Sequence, residues 1–194
     1  MVATISKEEI SAYPAAQFNG EIVLVNNEDD ALNAISYLSE FDVIGFDTET
    51  RPSFKKGKSH KVALMQLATE EKCFLFRLNL IGIPDSLMRL LTNPDIKKVG
   101  LSLKDDFSVI RRSNAILPEG FIELQTFVKQ FGIEETGLQR IYAILFHERI
   151  SKRQRLTNWE AAVLSESQQH YAALDAWACL VIYKKLINLE KTAK

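Results

Sequence analysis

Apolar and polar positions change their period partway along the chain. In the first half, short apolar runs dominate: Glu21–Val25, Val43–Phe46, Val62–Ala68 and Lys72–Leu78 each read as a strand. Thr69, Glu70 and Glu71 alone separate the last two, a link short enough for a hairpin. Between the first two strands, residues 26–30 supply helix-capping side chains, and Ala31–Leu38 carries apolar positions at helical spacing. The second half turns helical. Pro84 stands where a helix over Asp85–Leu91 would begin, and Ile96–Leu101 returns to strand. Helical patterns follow over Lys104–Arg112, Phe121–Phe131 and Gly137–Phe146. Ser165 and Gln168 match a capping box, predicting a helix from there to about Glu190. Residues 1–20 show no clear period and read as an N-terminal extension to a single domain over 21–194. Strands first, with helices packed over them, predict an α/β fold: a mixed β-sheet flanked by α-helices.

Composition narrows the classes. The chain has 194 residues, 46% hydrophobic and 25% charged, which suits one soluble globular domain. No apolar run approaches the roughly 18 residues of a membrane helix, and the N-terminus lacks a basic segment followed by an apolar one. We therefore expect neither a membrane segment nor a signal peptide. Cys73 and Cys179 sit in apolar segments and read as buried free thiols, hence a cytoplasmic setting. Three scattered histidines and no Cys-x-x-Cys argue against zinc. A formal charge of −1 means that any nucleic-acid contact must come from local basic patches.

One strand ends in chemistry. Phe46 is followed by Asp47, Thr48, Glu49 and Thr50. Side chains two apart on a strand share a face, so both carboxylates project together. Adjacent anions repel, burial penalises each charge further, and a hard divalent cation between them relieves both penalties. Two other places offer acids. Asp105 and Asp106 open the helix after the Val99-Gly100 strand, and Tyr171 and Asp175, four apart, share one face of the C-terminal helix. Alanines at 172, 173, 176 and 178 would let that helix lie close against a neighbour.

Together these pieces resemble the three exonuclease motifs of the DEDD superfamily of 3′–5′ exonucleases. The first is Phe46-Asp47-Thr48-Glu49-Thr50, the second is Val99-Gly100 with an acid in the next helix, and the third is Tyr171-x-x-x-Asp175. The tyrosine marks the DEDDy branch. Within it, ribonuclease D and the exonuclease domain of the Werner syndrome helicase are similar over about residues 20–190. The second motif's acid is Asp105 or Asp106, and counting from Val99-Gly100 favours Asp106. The resemblance implies a ribonuclease H-like fold and two divalent ions, Mg²⁺ or Mn²⁺. One is held by Asp47, Glu49 and Asp175, the other by Asp47 with Asp106. It implies Tyr171 orienting the attacking water, 3′ ends of DNA or RNA as substrate, and nucleoside 5′-monophosphates as product.

The basic stretches flank these motifs. Lys55, Lys56 and Lys58 follow the acid-tipped strand, and Arg149, Lys152, Arg153 and Arg155 precede the third motif. They read as solvated loops or as phosphate contacts; Arg155 resembles a basic position of the related loop and is the preferred contact, and Thr48 joins the nucleic-acid side. Phe54 and Trp159 are aromatics able to stack on bases, though Trp159 reads first as packing. Met65, Phe127 and Trp177 read as packing only. Two rival readings remain: a nucleic-acid-binding module with a nuclease-like fold, and a haloacid-dehalogenase-like phosphatase. The latter wants Asp-x-Asp-x-Thr, where this chain has Glu49.

Overall fold

The computed structural model describes residues 4–53, 60–104, 106–107 and 117–192. Six strands form one mixed sheet in the order β1-β4-β3-β2-β5-β6. They are β1 (Glu21–Val25), β2 (Val43–Thr50), β3 (Val62–Ala68), β4 (Lys72–Phe76), β5 (Lys97–Gly100) and β6 (Phe121–Glu123). The expected β3–β4 hairpin is present, β2 runs antiparallel to β3, and β1–β4, β2–β5 and β5–β6 pair in parallel.

Helices cover both faces. On one lie α2 (Glu28–Leu38), the single turn α3 (Leu78–Ile81) and α4 (Asp85–Leu91), burying Ala31, Leu38, Leu87 and Leu90 against Ile44, Phe46 and Leu67. On the other lie α5 (Leu124–Phe127), α6 (Leu138–Phe146) and the long α7 (Glu166–Thr192), with Ile141, Ala172, Ala176 and Cys179 against Leu64, Ala68 and Leu75. Successive β2 residues alternate between these two cores, as period-2 geometry requires. The small residues of α7 do what their size permits. A Cβ on Gly45 would fall 2.0 Å from the Ala176 carbonyl oxygen, so only glycine lets α7 lie directly on β2.

Three expectations need correction. Phe121–Phe131 is not one helix: it is β6, then α5, then a 3₁₀ turn over Val128–Phe131. A three-residue strand is too short to display alternation, and its existence depends on pairing with β5, distant in sequence. The fourth strand stops at Phe76, and Leu78 starts a helical turn instead. The first twenty residues contain a helix, α1 (Lys7–Ala12), which a reciprocal capping box between Ser6 and Glu9 secures. That Ser-x-x-Glu pattern was available in the sequence. Ile10 packs with Ala143, and Ala16 and Phe18 enter the main core. Of the helix expected over Lys104–Arg112, residues 103–104 and 106–107 are helical, and the remainder lies outside the described residues.

Candidate active site

Two elements bring the acids together. β2 presents Asp47 and Glu49 on the face covered by α7, and the close Gly45–Ala176 approach sets Asp175 over them. One carboxylate oxygen from each of Asp47, Glu49 and Asp175 lies within 4.8 Å of the others. Glu49 and Asp175 are buried. The fourth acid arrives from the turn after β5, where the Thr48 hydroxyl donates a hydrogen bond to Asp106. Asp105 lies outside the described residues, as do Phe54, Lys55, Lys56 and Lys58.

Burial and mutual repulsion dominate the electrostatics. Desolvation first, then the charges of Asp175, Glu49 and Asp106, push Asp47 well above the usual carboxylate range. Glu49 is pushed up to about 9 by burial and by Asp175, against the pull of Arg155. Burial raises Asp175 to about 7, opposed by a hydrogen bond from Tyr171 and by the charges of Lys152 and Arg155. Tyr171 is itself driven up, by burial and by the acids around it, so its phenol stays protonated and acts as a donor. Three acids whose charged forms are this disfavoured, with Asp106 beside them and all with hard oxygen donors, fit divalent cations. The nearby Cys73 and Cys179 are buried thiols held protonated, and do not compete as ligands.

The acids line a cavity of about 360 Å³ whose walls include Lys152, Arg155, Tyr171 and residues 136–139 at the start of α6. The connector carrying both cations is anchored at several points. The Gln168 side chain donates to the Thr157 hydroxyl (3.0 Å) and the Asn158 carbonyl (3.3 Å), within the expected capping box at Ser165. The buried Arg77 guanidinium donates to the carbonyls of Ala161 and Ala162. Trp159 is fully buried, 6.1 Å from the Tyr171 ring, which is the packing role expected of it.

One contributor was missed in the sequence. Glu123 accepts from the backbone N–H groups of Ser102 (3.0 Å) and Leu103 (2.8 Å), capping the turn that delivers Asp106. Ser102 sits at a φ of 63°, sparsely populated for a residue with a side chain, and Gln125 donates to its hydroxyl (3.0 Å). Reading Phe121–Phe131 as helix concealed that Glu123 ends a strand beside Gly100.

A model of the 3′–5′ exonuclease family matches residues 22–189. The chain belongs to the 3′–5′ exonuclease family. It is 35% identical over 191 residues to the mouse bifunctional 3′–5′ exonuclease/ATP-dependent helicase WRN, covering 93% of this chain and 14% of that protein. A 3′–5′ exonuclease of Arabidopsis thaliana is 31% identical over 193 residues, 91% of this chain and 67% of that one. Escherichia coli RNase D shares the fold of this exonuclease domain, with a TM-score of 0.76 at 23% identity, over 90% of this chain and 46% of RNase D. Among the described residues, no helix is long and apolar enough to cross a membrane.

Proposed function

We propose that this domain removes nucleotides singly from the 3′ ends of DNA or RNA, hydrolysing the phosphodiester bond and releasing nucleoside 5′-monophosphates. The observation that carries this reading is the convergence of Asp47, Glu49 and Asp175 within 4.8 Å, in a cavity shared with Asp106, Tyr171 and Arg155. Asp47, Glu49 and Asp175 would hold one divalent ion, and Asp47 with Asp106 a second, Mg²⁺ or Mn²⁺. When bound, such ions acidify a water and neutralise charge on the phosphate. Tyr171, whose hydroxyl proton is donated to Asp175, stands at the cavity wall and positions the attacking water by accepting a hydrogen bond from it. Arg155 and Lys152 pair with the phosphate oxygens. The Thr48 hydroxyl, which the sequence assigned to nucleic acid, holds Asp106 in place. The catalytic unit spans 21–194, with residues 4–20 packed against it, and Cys73 and Cys179 as free thiols suit a cytoplasmic setting.

Both nucleic acids belong in the test, since one relative is a helicase-linked exonuclease and RNase D is an exoribonuclease. End-labelled DNA and RNA, single-stranded and duplex, are incubated with Mg²⁺ or Mn²⁺ and resolved on one gel. The expected result is a ladder shortening from the 3′ end, abolished by EDTA and by Asp47→Asn. Retention of substrate without digestion under every condition would leave a binding module. Phosphate release from small esters without digestion would turn the reading to a phosphatase.

A further inference from the structure

Gln66 lies on β3 directly opposite Asp47 on β2. Opposed residues of an antiparallel pair point to the same face, with Cβ atoms about 4.5–5.5 Å apart. Gln66 therefore shares the α7 side of the sheet with the acids. It is fully buried, and neither its amide nitrogen nor its amide oxygen has a hydrogen-bond partner among the described residues. Buried amides are ordinarily satisfied, because leaving one unpaired forfeits its hydration.

The row across the sheet shows where a partner can come from. On the β4 side Gln66 faces Leu75, which in turn pairs with Leu24 of β1. Along its own strand the residues on the same face are Leu64 and Ala68, both buried in the apolar core. Cys73, opposite Ala68, and Cys179 of α7 are buried free thiols, weak hydrogen-bond partners at best. Among these described neighbours the strong acceptor is the Asp47 carboxylate, directly across on β2.

We propose that Gln66 is a positioning residue for the acid cluster: its amide N–H donates to one oxygen of Asp47 and thereby aims the other oxygen at the cation. This rests on the proposed function. An unpaired amide at an otherwise apolar position costs stability, and the Asp47 carboxylate directly across on β2 is the acceptor placed to engage it. Hydrogen-bond partners that orient metal ligands typically contribute about 10–100-fold in metal affinity.

The test uses Gln66→Leu and Gln66→Met, which keep bulk and remove the donor. Thermal melts in EDTA and calorimetric titration with Mn²⁺ are compared with wild type. Both variants are expected to melt no lower than wild type in EDTA, yet to bind Mn²⁺ about tenfold or more weakly. Their turnover should recover towards wild type at high Mn²⁺. A purely structural amide would show the opposite pattern: lower melting in EDTA or failure to fold in both variants, with unchanged Mn²⁺ affinity in any variant that folds. Either of those results overturns the proposal. If wild type itself takes up no Mn²⁺, the metal-centre reading fails first, and the role of Gln66 falls with it.

Discussion

Raising the pH should destabilise the ion-free protein, and Asp175 is the residue through which to measure it. Its carboxyl titrates at about 7 in the fold against 3.8 as a reference, because burial disfavours its charge. Between those two values the native state holds more protons than the unfolded chain, so stability falls as pH rises. From pH 5.5 to 8 this single group accounts for about 2 kcal/mol, at about 1.4 kcal/mol per pH unit of unmatched protonation. For a chain of this size, that is roughly 4–8 °C in Tm. Glu49, raised to about 9, acts with the same sign and carries the decline further up the scale. Melts of wild type and Asp175→Asn are recorded in EDTA at constant ionic strength across this range. The difference between the two proteins isolates the contribution of Asp175 and its repulsion of Asp47 and Glu49. We expect wild type to lose at least those few degrees relative to the variant, and saturating Mn²⁺ to reverse the loss by binding the native state. A difference that stays flat, or that grows in favour of wild type with pH, would refute the assignment of a buried, proton-holding cluster.

Three further outcomes are expected. Tyr171→Phe removes the hydroxyl that orients the water and donates to Asp175, so single-turnover rates at saturating Mn²⁺ should fall on the order of 10²–10⁴-fold, while Mn²⁺ affinity, measured by calorimetry, weakens by no more than about 10–100-fold. Arg155→Ala should weaken substrate binding in Ca²⁺, flatten the plot of log affinity against log salt by about 0.7 for single strands, and lower the single-turnover rate; an unaltered slope would return Arg155 to a solvated role. Lys98, fully buried in β5, donates from Nζ to the carbonyls of Leu90 (3.2 Å), in the last turn of α4, and Asn93 (2.6 Å), just after it. Lys98→Ala removes the side-chain donor from the Asn93 carbonyl, while the Leu90 carbonyl keeps its backbone donor from Asn93, and it empties the space of the stem; urea unfolding should show a loss of about 2–4 kcal/mol.

Much of the site was legible in the chain because its parts are local. Asp47 and Glu49 are two apart on one strand, and Tyr171 and Asp175 four apart on one helix, so backbone periodicity alone puts each pair on a common face. The alanines of α7 announced a close approach, and the capping patterns at Ser6 and Ser165 are written in four residues each. What the sequence could not determine is every relation that crosses the sheet. That α7 rests on Gly45, so that Asp175 meets Asp47, depends on a pairing of segments about 130 positions apart. The three-residue β6 exists only because β5 lies beside it, and with it comes Glu123 capping the turn before Asp106. Gln66 reads in the chain as a lone polar residue within an apolar strand. Only the β2–β3 register sets it across from Asp47, because register is decided by which faces bury together and not by either strand alone.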